Sequence, residues 1–155
     1  MNKTSKRVMI RNTVMIESII EASQNFCTHQ IRLPYEVHEN ISNVRTLIAY
    51  IDIETLDKVH YRVYLCATHS FAQRISTLFL EEDDSDEETL IDMILETANQ
   101  IVGSAKVIAE EADKNQFNIS TPYFEKIDHF DFEYDQVKVI KVEDDEMIIA
   151  IKELD

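Results

Sequence analysis

A chain of 155 residues with a single glycine, Gly103, is narrowly constrained in what it can build. Loops that wrap a phosphate need several glycines, because only bare backbone approaches an anion closely. The G-x-G-x-x-G dinucleotide turn and the Walker-type loop are therefore excluded, and no G-x-S-x-G elbow occurs. With two prolines and no Pro/Gly-rich stretch, nothing in the chain reads as a linker. The length predicts one compact domain over 1–155, large enough to bury a core without covalent staples. Residues 1–7, with Lys3, Lys6 and Arg7, read as a flexible basic lead into it.

Charge narrows the partners. Thirty Asp and Glu against 15 Lys and Arg give a net charge of −15. Nucleic acid and anionic membranes bind through cations that neutralise phosphate, so neither is expected as a partner. A basic patch on another protein is a better match. No apolar run is long enough to span a bilayer, and the basic start lacks the apolar stretch of a signal peptide. Two cysteines, Cys27 and Cys66, make no disulfide framework, so a reducing cytoplasm is the expected location.

Hydrophobic periodicity sets out the elements. Ile10 to His29 is apolar on one helical face, with Asn12 or Thr13 as the cap. Val44–Ile53 and Tyr61–Ala67 read as a strand pair whose turn, Glu54 to Lys58, lacks the usual glycine. Ser70–Leu80 reads as a short amphipathic helix capped by Ser70. Glu81 to Glu88 holds seven acids in eight residues and reads as a solvated loop, with Ser85 and Glu88 spaced as a capping box. A long helix follows over about 86–112. Phe117–Ser120 and Tyr123–Lys126 flank Pro122 as an edge strand or two short pieces, and Val137–Val142 with Met147–Ile151 forms a hairpin. Strands and helices are segregated along the chain, which predicts an α+β fold with helices packed on an antiparallel or mixed sheet.

The long helix has two faces. At about 100° per residue, Ile91, Ile94, Ala98, Ile101, Val102, Ala105, Ile108, Ala109 and Ala112 form one apolar arc for the sheet. Asp92, Glu96, Asn99, Gly103, Lys106 and Glu110 fall in a stripe roughly 80° wide on another side. Residues three apart on a helix are surface neighbours about 5–6 Å apart, so Glu96 and Asn99 set a carboxylate beside an amide. On residue chemistry alone, such a pair most often only solvates its helix. A mid-helix glycine costs up to about 1 kcal/mol against alanine. Gly103 reads either as a position that eases helix packing within the domain or as a bare patch where another backbone approaches.

The run D-x-x-x-E-x-x-N-x-x-x-G (Asp92, Glu96, Asn99, Gly103), followed by F-N-I-S-T-P (Phe117 to Pro122), resembles the chemotaxis phosphatases of the CheC/CheX/FliY family, the CheX type most of all. The likeness covers most of the chain, in element order as well as motif. It implies helices on an antiparallel sheet, a homodimer joined through sheet edges, and hydrolysis of the phospho-aspartate of a CheY-like response-regulator receiver. Carried over to this sequence, Glu96 would pair with a receiver lysine, Asn99 would orient the attacking water, and Asp92, Gly103 and Lys106 would flank the contact. Magnesium would sit on the receiver, with no cofactor bound by this chain. The alternative from the same resemblance is a non-catalytic adaptor that binds a receiver or a flagellar-motor component. Three places depart from the family pattern: Leu95 and Thr97 stand beside the glutamate where a small residue is usual, and glycines are missing after Pro122 and in the first hairpin.

Other chemistry finds less support. Cys27-x-His29 and Cys66-x-x-His69 could supply four zinc ligands, but the spacings match common zinc modules poorly, and Cys66 lies in an apolar strand pattern.

Overall fold

The computed structural model describes residues 13–113 and 116–154. The basic lead, Ile10 and Asn12 fall outside them. Three helices, α1 (Thr13–Phe26), α2 (His69–Leu80) and α3 (Glu87–Asp113), pack on one seven-stranded antiparallel sheet. The strands are β1 (Glu36–His38), β2 (Arg45–Thr55), β3 (His60–Thr68), β4 (Phe117–Ile119), β5 (Tyr123–His129), β6 (Gln136–Val142) and β7 (Asp145–Leu154). Their order is β1-β6-β7-β3-β2-β4, with β5 also paired to β2. The expected α+β class holds, and every pairing is antiparallel.

Alternation along the central strands sorts side chains to two faces. Leu47, Ala49, Ile51 and Ile53 of β2, with Val63 and Leu65 of β3 and Ile149 and Ile151 of β7, join the core beneath the helices. Ile48, Cys66, Ile148 and Ala150 point the other way, where Phe130 and Phe132 of the β5–β6 connection cover them. Tyr64 holds that cover through ring contacts to Phe130 at 5.2 Å and Phe132 at 5.1 Å. Helix α3 lies in the helix layer, touching α1, α2 and the sheet. Leu90, Ile94, Ile101, Ala105 and Ala109 are among its innermost residues, each 2% exposed or less. Burying one isoleucine of this kind contributes about 1.5–3 kcal/mol. Ala112, assigned to the same arc from periodicity, is exposed, because the helix runs past the sheet it packs on.

The missing glycines are replaced by strained side-chain residues. Arg32, Lys58, Glu81 and Glu143 adopt positive φ of 56° to 66°. They end the first helical segment, turn the β2–β3 hairpin, end α2 and turn the β6–β7 hairpin. A non-glycine residue in this region costs about 1 kcal/mol, and Lys58 offsets it with an N–H bond to the Thr55 carbonyl at 3.0 Å.

Two caps differ from expectation. Thr68, not Ser70, caps α2, its Oγ1 accepting from the Phe71 N–H at 3.3 Å. Ser85 does not cap α3. It is buried, sharing a hydroxyl hydrogen bond with Ser76 and donating to Glu82 Oε2 at 2.8 Å, while its N–H donates to Gln73 Oε1 at 2.9 Å. The cap is the next residue, Asp86, whose Oδ1 accepts from the Thr89 N–H at 2.8 Å. Hydrogen bonds from Thr89 hold the Asp86 carboxyl below its usual range. The capping-box pattern failed because an inward serine serves the α2–α3 connection better than the helix end. Strand β1 and a π-helical turn over Cys27–Ile31 were not expected. β1 is three exposed residues with no periodic signal, and the π turn sits where α1 reads as an ordinary helix end.

Candidate functional site

The inward arc of α3 fixes what faces out. Because Ile94, Ala98, Ile101 and Val102 are pressed against the core, the opposite side of the same turns meets solvent. Asp92, Glu96 and Asn99 are exposed, while Gly103 and Lys106 are half-buried. The structure thus brings the Glu96–Asn99 pair to the surface one helical turn apart, with Gly103 one turn beyond. Lys106 follows about 10 Å along the axis from Asn99, on the same stripe. Neither Glu96 nor Asn99 hydrogen bonds or pairs with another described residue, so their polar atoms are available to a partner.

The cap at Asp86 and the buried side chains set the rotational register of this stripe. Thr97, beside Glu96, is 1% exposed and donates its hydroxyl to the Met93 carbonyl at 2.7 Å. Leu95, on the other side, packs against the core. Both residues flanking Glu96 therefore turn toward the core and leave the outer face unaltered.

Gly103 resolves between its two readings. A Cβ built there meets no atom within 4 Å. No described residue packs against the position, so the glycine is not needed to ease packing among the described residues. It leaves a bare patch in the stripe that carries Asn99.

Next to the stripe lies a groove of about 140 Å³ between α3, α1 and the π turn. Its rim is formed by Gln100 and Ser104 of α3, Asn25 of α1, and His29 and Gln30 of the π turn. Apart from His29, weighed as a zinc ligand, these residues went unremarked in the sequence. The available signal was a cluster of uncharged polar residues where the period of α1 breaks down, between Asn25 and Gln30.

The zinc candidates are not brought together. Cys27 belongs to the core under the helices and Cys66 to the cluster on the opposite face of the sheet. Both thiols are free and buried, and burial pushes Cys27 up to about 11. Among the described residues, no group of three or more His, Cys, Asp and Glu is placed to hold a metal ion. No helix among them is long and apolar enough to cross a membrane.

The fold is three helices layered on an antiparallel sheet, with the Glu96–Asn99 pair exposed on α3. The family described as chemotaxis phosphatase CheX matches residues 50–143, well over half of the chain. The chain belongs to that family. No curated protein matches it. Among solved structures, CheX from Vibrio vulnificus is similar with a TM-score of 0.72 at 16% identity, over 90% of this chain and 99% of that one. CheX from Desulfovibrio desulfuricans gives 0.68 at 16% identity, over 90% and 99%. CheX from Borrelia burgdorferi, in a complex with CheY, BeF3 and magnesium, gives 0.63 at 15% identity, over 88% and 97%. At these identities the likeness establishes the fold.

Proposed function

We propose that this chain hydrolyses the phospho-aspartate of a CheY-like receiver, with Glu96 docking the receiver and Asn99 orienting the water. The observation that carries the reading is the exposed, unpartnered Glu96–Asn99 pair on α3 of a CheX-family domain. Water attacks phosphorus, the bond from phosphorus to the aspartyl oxygen breaks, and the products are inorganic phosphate and the free carboxylate. Phosphoryl transfer needs positioning and charge stabilisation more than a strong base. A neutral amide accepts a hydrogen bond from water and donates one to a phosphoryl oxygen at the same time. A carboxylate in its place would repel the phosphoryl group. Neutralising the phosphoryl oxygens falls to the magnesium ion on the receiver.

The exposed carboxylate of Glu96 suits an ion pair with a receiver lysine. On a surface of net charge −15, that pair also favours the lysine-bearing side of a partner. Phosphate release from a phosphorylated receiver tests the reading. Glu96→Gln is expected to raise the concentration needed for half-maximal rate about tenfold, with the rate at saturation nearly unchanged. Its salt dependence should flatten, since one screened charge pair is gone. Receiver binding with no change in phosphate lifetime would instead give the adaptor.

A homodimer belongs to the same proposal. Sedimentation at micromolar concentration is expected to give twice the chain mass, and a monomer there removes that part.

A further inference from the structure

The surface row that begins at Glu96 runs into the groove, which the chemistry above leaves unused. Stepping by four along α3 from Glu96 gives Gln100 and Ser104, each a surface neighbour of the one before. Both line the groove that Asn25, His29 and Gln30 close on the far side, with Phe26 in its floor. All five rim residues are exposed, and none of their side chains hydrogen bonds another described residue. Thirty acidic residues are spread over this chain, yet none stands on the rim.

The far side of the groove is held in place. Arg32, in the left-handed conformation, donates its N–H to the Cys27 carbonyl at 2.8 Å and closes the π turn. Its Nε donates to the His29 carbonyl at 3.0 Å. A π turn carries an extra residue per turn and is often found at functional sites. Here it presents His29 and Gln30 across the groove from α3.

We propose that this groove is the second half of the docking surface and takes a loop of the receiver whose phospho-aspartate lies over Asn99. The inference rests on the functional reading above. A phosphorylated receiver site is anionic, and a chain of net charge −15 would repel the surface around it wherever carboxylates face it without a partner lysine. A rim without carboxylates removes that repulsion beside the active pair. Amide side chains both donate and accept, which suits the unpaired N–H and C=O groups of an irregular loop. The floor at Phe26 offers apolar contact to one small side chain of that loop.

The test uses the full chain and a CheY-type receiver charged with beryllofluoride and magnesium. The triple variant Asn25→Ala/His29→Ala/Gln100→Ala is expected to bind that receiver about tenfold more weakly, the combined worth of two or three neutral hydrogen bonds. Its single-turnover rate on saturating phosphorylated receiver should match wild type. Gln100→Glu, which keeps side-chain length and helix propensity, should weaken binding as well by returning a carboxylate to the rim. Glu133→Ala, on the β5–β6 connection, is the control and should bind as wild type. Wild-type binding by both groove variants overturns the inference while leaving the functional reading intact. A wild-type protein that leaves the receiver's phosphate lifetime unchanged overturns the functional reading itself, whatever the groove variants do.

Discussion

Asn99→Ala is expected to melt at or slightly above the wild-type temperature and to leave a phosphorylated receiver decaying at its own rate. The two halves of this result have separate causes. Asn99 is exposed and without a partner among the described residues, so removing its amide breaks nothing in the fold. Alanine is the better helix former, by about half a kcal/mol in a helix interior, so stability should hold or rise. In the reading proposed above, the Asn99 amide is the group that orients the water, accepting from it and donating to the phosphoryl group at once. Removing a positioned group of this kind costs about a hundredfold or more in rate. Two further substitutions separate positioning from chemistry. Asn99→Gln keeps the amide but moves it by about one methylene, and a displacement of that order is itself enough to cost about a hundredfold. Asn99→Asp keeps the shape and replaces a donor with a charge that repels the phosphoryl oxygens. Phosphate lifetime on the receiver, measured with each variant in excess, reads all three. Wild-type activity from the alanine variant would remove Asn99 from the mechanism.

What the sequence made legible follows the strength of its periodic signals. The outward stripe of α3 could be read because twenty-seven residues repeat one pattern without a break, and burial of Ile94, Ile101 and Ala105 then fixes where Glu96 and Asn99 point. The central strands were legible for the same reason, with β-branched residues alternating between two buried faces. Signals carried by single residues did worse. Ser85 has the spacing of a cap, but its hydroxyl is drawn inward to Ser76, and Asp86 takes the helix end. Ser70 has the right chemistry to cap α2, yet Thr68 stands at the residue where the strand turns into the helix. The groove was hidden because its rim comes from α3, α1 and a π turn. Only tertiary packing of α1 on α3 brings those side chains to one place.

Gly103 separates stability from function more sharply than any other position. Its backbone needs no positive φ, and a Cβ there would meet no atom within 4 Å. Nothing among the described residues therefore requires glycine, and the residue lowers helix stability by up to about 1 kcal/mol relative to alanine. Gly103→Ala is expected to raise the melting temperature by about 3 °C for a domain of this size. Leucine is nearly as good a helix former as alanine, so Gly103→Leu should be no less stable than wild type. Docking should move the other way. The position lies one turn beyond Asn99 on the same stripe, where the proposed reading has a receiver surface close over the amide. A leucine side chain standing between two surfaces built to touch costs about 1–3 kcal/mol, which is about ten- to a hundredfold in affinity. Binding to a beryllofluoride-charged receiver and a thermal melt on the same preparation measure both signs together. A leucine variant that docks as wild type would show that no backbone approaches here. The loss of stability at Gly103 would then have no counterpart in recognition, and the receiver would not close over this turn of α3.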